Sequence, residues 1–213
     1  MFTIHKVPLL IKKLFPKYIW TVSTNEKIIY LTFDDGPIPG VTEFVLDELD
    51  KAGAKATFFC VGENILKHPQ VFNDVVNRGH KIGNHTFNHI KGWQVENEVY
   101  FDNILKCKNE IEATIPGLNT NLFRPPYGRI KGSQGKYLLQ DYKIIMWDVL
   151  TCDYDKLLKP EKCLTNSIKA TASGSIVVFH DSIKAEKNLQ YVLPRYLSHF
   201  KDKGYKFESL NLL

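Results

Sequence analysis

The chain has 213 residues, enough for one domain with a sizeable core, and its 44% hydrophobic and 24% charged residues are an ordinary globular composition. The formal net charge is +5, but the lysines are spread along the chain, and no dense basic stripe with interleaved aromatic residues indicates a nucleic-acid partner. No segment approaches the roughly 20 apolar residues that a membrane-spanning helix needs.

Residues 1–27 are predicted to be an irregular, partly basic lead-in that packs on a catalytic domain of residues 28–213. The apolar run at residues 7–11 is short, contains Pro8, and is followed by no small-residue cleavage site, so it does not resemble a secretory signal. We therefore expect a cytoplasmic protein. The alternative is a protein of the cell envelope or an exported one, and the sequence carries no signal of its oligomeric state.

The cysteines are predicted to be buried free thiols. None of the four forms a C-x-x-C pair, and Cys60 and Cys107 lie in apolar strand-like and helical runs. An even number of cysteines permits two disulfides without implying them. The other two are Cys152 and Cys163.

From residue 28 onwards, short apolar runs alternate with segments of helical periodicity. The predicted strands are residues 28–33, 55–61, 81–84, 143–149, 175–179 and 205–210, and the predicted helices are residues 41–52, 70–78, 94–115, 133–140, 161–170 and 188–201. Strands that are apolar on both faces indicate a parallel sheet covered by helices. With about seven such units, the sheet is long enough to close into a barrel.

Reactive residues stand at the ends of the predicted strands. In parallel α/β folds, chemistry collects at the carboxyl ends of the strands. Five separate strand ends that each carry such groups are hard to explain by structure alone. The residues are Asp34, Asp35, His85, His89, Arg124, Asp153 and His180.

The most informative stretch is residues 32–37, Thr-Phe-Asp-Asp-Gly-Pro. A buried strand delivers two adjacent carboxylates to a turn that the glycine and proline force. Two neighbouring carboxylates repel each other, and a cation would relieve that repulsion. We interpret one acid as a metal ligand and the other as a free base. The alternative is ordinary turn chemistry, because aspartate and glycine are common turn residues.

His85 and His89 supply imidazoles four residues apart, a spacing that puts both on one face of a helical turn. None of the three residues between them is a base, so a hydrolytic site would take its base from elsewhere, and Asp34 is the candidate. With Asp35, the two imidazoles would leave the open coordination that a catalytic zinc needs. The same set would also take cobalt or nickel. The alternative is that one histidine is a core or surface residue.

His180 ends a buried strand and suits a general acid or base, because the reference pKa of histidine is about 6.5. Asp153 could orient it, and Asp148 and Asp181 compete for that role. The alternative is a packing or capping histidine.

Arg124 precedes two prolines, which fix the loop and remove two backbone donors. The next backbone N–H groups, those of Tyr127 and Gly128, are then left to point at a ligand. An arginine near the aspartate pair would hold Asp34 in place. The alternative is a surface arginine in a rigid loop.

The remaining histidines and tryptophans carry less information. Trp20 and Trp93 are expected to pack, and Trp147 either packs or lines the cleft. Four histidines in polar or helical contexts are expected at the surface: His5, His68, His80 and His199.

Five motifs in this order resemble those of the polysaccharide deacetylase family, also called the NodB-homology domain or carbohydrate esterase family 4. They are residues 32–37, His85-x-x-x-His89, residues 124–128, the stretch from Trp147 to Asp153-Tyr154, and Ile176-x-Val178-x-His180. The resemblance covers residues 28–210. It implies an α/β fold, a distorted, incomplete (β/α) barrel of about seven units, and a metal-dependent hydrolase that removes acetyl groups from N-acetylated glycans of the peptidoglycan or chitin type.

The resemblance also implies residue roles. The metal, usually zinc, would be bound by Asp35, His85 and His89, with Asp34 as the general base and His180 as the general acid. The remaining roles are Arg124 steadying Asp34, Asp153 orienting His180, the Tyr127 N–H stabilising the oxyanion, Ile176 and Val178 accepting the acetyl methyl, and Trp147 and Tyr154 forming the cleft walls.

Three positions depart from the family pattern. Tyr154 stands where tryptophan is common, Val178 where leucine is common, and Leu150 where an acid is often found. The first two concern the choice of substrate, and Leu150 leaves open whether Asp148 or Asp153 orients His180. The functional alternatives are hydrolysis of an O-acetylated glycan or of a small cyclic amide, and a non-catalytic glycan-binding module.

Overall fold

Parallel strands form the centre of the molecule, and helices cover them. The computed structural model describes residues 5–211. The strands are β1 (Ile28–Asp34), β2 (Thr57–Cys60), β3 (Lys81–Asn84), β4 (Leu122–Phe123), β5 (Lys143–Ile144), β6 (Val149–Leu150), β7 (Ile176–His180) and β8 (Lys206–Glu208). The helices are α1 (Leu9–Leu14), α2 (Val41–Ala52), α3 (Gly62–Lys67), α4 (Pro69–Asn77), α5 (Asn97–Thr114), α6 (Gly132–Leu138), α7 (Pro160–Ala170) and α8 (Glu186–Asp202). Within residues 5–211, no helix combines the length and apolarity needed to cross a membrane.

The sheet confirms the predicted incomplete barrel. Its strand order is β5-β4-β3-β2-β1-β7-β6, and β8 pairs with β1 off this path. Every strand pair is parallel. In the part of the chain that the structure describes, no pairing joins β5 to β6, so the barrel stays open on that side.

The core explains why the strands are apolar on both faces. Phe33 of β1 stacks between Phe58 of β2 and Phe179 of β7, with ring centroids 5.0 and 5.8 Å apart. These rings pack in one large cluster with the apolar sides of α2 and α8. Burying a phenylalanine side chain contributes about 1.5–3 kcal/mol, so the central strands are firmly held. A rigid β1 holds the two aspartates at its carboxyl end in fixed positions.

The strand predicted over residues 143–149 is wrong as a single element. The backbone N–H of Ile145 donates to Phe123 on one edge of the sheet, at 2.8 Å, whereas that of Asp148 donates to Ile176 on the other edge, at 2.9 Å. The chain therefore crosses the open side of the barrel between these two residues, and each end of the apolar run pairs with a different neighbour. Trp147 lies in this crossing.

Residues 5–22 lie along the same open side, and within the predicted irregular lead-in they form one short helix, α1. Besides α1, this segment makes three isolated bridges: Lys6 to Val149, Ile19 to Ile145, and Thr21 to Ser175. Unpaired backbone groups at a sheet edge need partners, and this segment supplies them. The packing of residues 1–4 lies outside the described residues.

Two histidines predicted at the surface are buried. His80 meets the ring of Phe58 edge-on, with ring centroids 5.3 Å apart. Its Nδ1 accepts a hydrogen bond from the backbone N–H of Ala56, at 3.3 Å. Burial and the nearby Lys55 lower the pKa of His80 to about 4, so it is neutral at pH 7. His5 is buried as well. Polar neighbours in the sequence suggested exposure, but both residues lie under other segments of the fold. The four cysteines are free and buried, as predicted.

Candidate active site

A cleft of about 650 Å³ opens at the carboxyl ends of the strands. In the parallel register of β1 and β7, Asp34 is the partner of His180, so the two strands bring these residues together. The cleft is lined by Asp34, Asp35, His85, His89, Lys91, Trp93, Tyr127, Arg129, Trp147, Leu150, Tyr154, Val178, His180 and Lys184.

Asp34 is fixed by a fully buried arginine. Nη1 of Arg124 donates to Asp34 Oδ1 at 2.6 Å and to Thr32 Oγ1 at 2.8 Å. Its other nitrogens bond to the backbone carbonyl oxygens of Ile145 and Met146, at 3.2 and 3.0 Å. A buried guanidinium with these partners is well satisfied, and its removal would leave Asp34 as a buried charge without a partner. The structure thus brings Arg124 to Asp34, as the sequence predicted.

Asp35, His85 and His89 face one another and could hold a metal ion. Their nearest ligand atoms all lie within 4.8 Å of one another. Asp35 Oδ1 is 3.3 Å from Nε2 of His89 and 3.8 Å from Nε2 of His85. One carboxylate and two imidazoles form a donor set suited to zinc, with coordination positions left for substrate and water.

The protonation of His85 also suits a ligand. Its Nδ1 lies 2.7 Å from the backbone carbonyl oxygen of Arg124. A carbonyl oxygen only accepts, so Nδ1 carries the hydrogen and the lone pair of Nε2 faces Asp35. Burial and the neighbouring His89 lower the pKa of His85 to about 3, and burial lowers the pKa of His89. Both rings are neutral at pH 7, as metal binding requires.

The two histidines do not lie on a helical turn, so that part of the prediction is wrong. Residues 85–89 form a loop in which Thr86 and His89 have left-handed backbone angles, with φ of 66° and 56°. Asn84 Oδ1 accepts the backbone N–H of Thr86 at 2.9 Å, and Asn103 Oδ1 accepts that of Phe87 at 2.8 Å. These side chains replace the hydrogen bonds of a helix and bring the two imidazole centroids to 5.1 Å.

His180 lines the same cleft and is held by Asp153. Its Nδ1 is 2.7 Å from Asp153 Oδ1, and its backbone N–H donates to Asp153 Oδ2 at 2.8 Å. Burial alone would lower the pKa of His180, but the Asp153 carboxylate outweighs it and raises that pKa to about 9. At pH 7 the imidazole is protonated, and Nε2 is the nitrogen left for proton transfer.

Asp148 and Asp181, the other two candidates for orienting His180, have partners elsewhere in the fold. Asp148 accepts hydrogen bonds from the ammonium groups of Lys6, at 2.6 Å, and Lys12. Asp181 accepts the backbone N–H of Gly36 at 3.1 Å. A Cβ at residue 36 would come within 1.9 Å of Asp181 Oδ2, so only glycine fits this turn. Asp181 therefore shapes the turn that follows the aspartate pair.

Aromatic side chains form the walls of the cleft. The ring centroid of Tyr127 lies 4.7 Å from that of His89 and 5.5 Å from that of Trp93. The sequence assigned Trp93 to packing, and nothing in its local context shows that the short 3₁₀ turn Gly92–Gln94 faces the cleft. On the other side, the ring of Tyr154 lies 4.9 Å from that of His180. Trp147 also lines the cleft.

The apolar slot differs from the predicted one. Val178 lines the cleft, and its register partner across β6 and β7 is Leu150, which lines it too. Ile176 lies on the same face of β7 but one pleat deeper, where it packs with Ile145 and Leu210. The resemblance implied that Ile176 lines an apolar slot, but Ile176 is fully buried and does not line the cleft. The register of β6 against β7 is the observation that identifies Leu150 as a neighbour of Val178 in the cleft.

Three cations at the cleft were not predicted. Each lies beside an aromatic ring of the wall, so stacking restrains its long side chain. Positive charge at a cleft attracts anionic ligands. The pairs are Lys91 with Tyr127 at 5.5 Å, Arg129 with Trp93 at 5.4 Å and Lys184 with Tyr154 at 5.1 Å from the ring centroid.

Several site loops have unusual backbone geometry. Within residues 5–211, five residues other than glycine have positive φ, and they follow β1, β3, β4 or β6. Each such residue costs about 1–3 kcal/mol in backbone strain. The residues are Asp35, Thr86, His89, Tyr127 and Cys152.

Comparisons with known proteins identify relatives of this chain. The family model described as Polysaccharide deacetylase matches residues 21–142. A Bacillus cereus peptidoglycan-N-acetylglucosamine deacetylase is 35% identical over 196 residues, which are 91% of this chain and 91% of that protein.

Solved structures show the same fold. A peptidoglycan N-acetylglucosamine deacetylase in complex with 4-naphthalen-1-yl-N-oxidanyl-benzamide has a TM-score of 0.87 and 30% identity, and the match covers 96% of this chain and 95% of that one. A family 4 pseudoenzyme from Bacillus anthracis has a TM-score of 0.80 and 25% identity, and the match covers 90% and 66% of the two chains. A pseudoenzyme shares this fold, so the fold alone does not establish activity, and the site residues decide it.

Proposed function

The chain belongs to the polysaccharide deacetylase family, and we propose that it is a metal-dependent N-deacetylase of peptidoglycan-type glycans, releasing acetate. One observation carries the proposal: a metal-ligand group, a carboxylate held by an arginine and a protonated histidine converge on one cleft. Amide hydrolysis needs each of these groups, because the carbonyl must be polarised, water deprotonated and the amine protonated.

Asp35, His85 and His89 would hold the metal, zinc in the first place, with cobalt or nickel as alternatives. When bound, the metal would polarise the acetyl carbonyl and lower the pKa of the attacking water. The neutral imidazoles provide the required lone pairs, and the bond from His85 Nδ1 to the Arg124 carbonyl fixes the orientation of one ring.

Asp34 is the general base in this proposal. It takes a proton from the attacking water as the water adds to the acetyl carbon. The 2.6 Å bond from Arg124 holds the carboxylate in one orientation. Because Arg124 is fully buried, water does not compete for this bond.

His180 is the general acid. Its protonated Nε2 donates to the amide nitrogen as the carbon–nitrogen bond breaks, while Asp153 stabilises the imidazolium through Nδ1. One proton is taken from water by Asp34 and one is given to the leaving amine by His180, so acetate and a free amino sugar are produced. We assign the backbone N–H of Tyr127 to the oxyanion, and Val178 with Leu150 to the acetyl methyl.

Two features support a polymeric and anionic substrate. The cleft is open and has aromatic side chains on both sides, which suits the faces of successive sugars. Its three cations favour a glycan that carries carboxylates, as peptidoglycan does. Action on peptidoglycan would place the enzyme at the cell envelope.

The first experiment measures acetate release from N-acetylglucosamine oligomers and from peptidoglycan, before and after chelation and after zinc is added back. We expect release that disappears with the chelator and returns with zinc. Absence of release from zinc-loaded protein on both substrates would contradict the proposal.

Asp34→Asn tests the base in the same assay. We expect turnover to fall by roughly 10²–10⁴-fold while the zinc content, measured by mass spectrometry, stays at the wild-type level, because Asp34 is not a ligand here. Asp141→Asn, an exposed aspartate outside the cleft, is the matched control. Near-normal turnover in Asp34→Asn would rule out the assignment.

A further inference from the structure

A second surface, remote from the cleft, carries an exposed apolar face. Helix α1 has no buried residue. Leu9, Leu10 and Leu14 are 72%, 69% and 65% exposed, and Ile11 and Phe15 are exposed as well. Five of the twelve exposed large hydrophobic side chains within residues 5–211 therefore lie in seven consecutive residues. Contiguous apolar patches of this kind mark interaction sites.

The patch is not a frayed terminus. Lys12, on the inner side of α1, bonds to the buried Asp148, and Nε1 of Trp20 donates to the backbone carbonyl oxygen of Phe15 at 3.1 Å. Residues four apart share one face of a helix, so Leu10 and Leu14 lie together, on the side opposite Lys12. The domain thus holds α1 in place and presents its leucines to solvent.

The charge around the patch is positive. Between His5 and Asn25 the chain has four lysines and no acidic residue. Two of the lysines, Lys6 and Lys12, form ion pairs with Asp148. Lys13 and Lys17 remain exposed beside the leucines. Exposed leucines and a phenylalanine flanked by lysines suit an anionic lipid surface, where the apolar side chains insert and the ammonium groups meet lipid headgroups.

The position of the patch is compatible with docking on a lipid surface. Residues 5–7 run antiparallel to β6, with Lys6 opposite Val149 and the N–H of Val7 bonded to the carbonyl oxygen of Asp148 at 3.0 Å. The chain therefore enters α1 at the amino end of β6, whereas the cleft lies at its carboxyl end. We propose that the patch formed by Leu9–Leu14 and Phe15 docks the domain on an anionic membrane surface, with the cleft facing away from the bilayer.

The test is co-sedimentation of the full chain with phosphatidylcholine vesicles with and without phosphatidylglycerol. We expect binding that requires phosphatidylglycerol and weakens with salt. The double variant Leu10→Asp/Leu14→Asp should lose most of this binding. For Lys13→Glu/Lys17→Glu, binding to vesicles that contain phosphatidylglycerol should be no stronger than binding to vesicles without it. The matched control is Val99→Asp/Leu105→Asp, since Val99 and Leu105 are similarly exposed on α5.

Three outcomes would overturn the proposal. The first is no binding of the wild-type chain to either vesicle, and the second is an equal loss of binding in the α5 control. The third is a wild-type dimer that Leu10→Asp/Leu14→Asp makes monomeric by light scattering, because a second copy would then cover the patch. Acetate release from soluble oligomers should be unchanged in the α1 variant, so this test and that of the deacetylase activity fail independently.

Discussion

Asp148 and Asp153 are five residues apart, both are buried, and they flank the two ends of the same short strand, β6. At the amino end, Asp148 binds two lysines of the N-terminal segment. At the carboxyl end, Asp153 binds the imidazole of His180. The role of each buried carboxylate therefore depends on the strand end at which it lies: Asp148 ties the N-terminal segment to the sheet, and Asp153 raises the pKa of the cleft histidine His180.

The neighbouring strand repeats this division. Ile176 starts β7 and packs inside the barrel, whereas Val178 lies two residues further on and lines the cleft. Substitutions at the carboxyl ends should therefore change rates, and substitutions at the amino ends should change stability.

The largest expected effect is that of His180→Ala. Without the general acid, kcat should fall by roughly 10²–10⁴-fold, while KM stays close to the wild-type value, because the proton is transferred only in the transition state. Steady-state kinetics of acetate release measures both constants. An effect confined to KM would show that His180 binds substrate and does not transfer a proton.

Asp153→Asn should act through the charge of His180. In the wild-type protein the carboxylate raises the pKa of His180 to about 9, so activity is retained at pH 7 and falls as the pH rises through that value. Removal of the negative charge lowers this pKa, and the alkaline limb of the kcat profile should move to lower pH. The control is Asp148→Asn, in which the alkaline limb of the kcat profile should stay at the wild-type pH. An unmoved alkaline limb in Asp153→Asn would contradict the pairing of Asp153 with His180.

Asp148→Asn should destabilise the fold and leave kcat unchanged. Burial opposes the charge of Asp148, but Lys12, Lys6 and Ser175 outweigh it and lower its pKa. Its contribution to stability is therefore present above the usual aspartate pKa and is lost as the pH falls through the lowered value. We expect the free energy of unfolding at pH 7 to drop by about 1–3 kcal/mol in denaturant titrations. A large loss of kcat with unchanged stability would show that Asp148 acts in catalysis and not in holding the fold together.

The smallest effect should be that of Ile176→Val. Loss of one buried methylene group should cost about 0.5–1.5 kcal/mol of unfolding free energy. Because Ile176 lies below the cleft, kcat and KM should not change. A raised KM without loss of stability would instead return Ile176 to the acetyl slot.

Much of the site could be predicted because its signals are local. A carboxylate or histidine directly after an apolar run is visible in the sequence, and parallel strands bring such ends to one edge. Asp34, His85 and His180 were placed at the cleft on that basis. The alternation of strands and helices likewise predicted the incomplete barrel.

The remainder depends on which segments meet in three dimensions. The choice of Asp153 over Asp148 follows from the pairing of β6 with β7, which no local pattern shows. The family resemblance likewise does not show that Ile176 lies below the cleft, since depth below a surface is a tertiary property. The spacing of His85 and His89 predicts a helical turn, but spacing alone does not reveal the backbone angles that Thr86 adopts.

The left-handed residues around the cleft set a limit on engineering this protein for heat resistance. At Asp35 and His89, glycine would relieve backbone strain of about 1–3 kcal/mol but delete a side chain that we propose as a metal ligand. At Thr86 the same change would spare the ligands, though it would remove the hydroxyl that accepts the N–H of Ile90. Under the proposed mechanism, a library screened for melting temperature alone would therefore enrich inactive variants at the first two positions, and the screen must score acetate release in parallel.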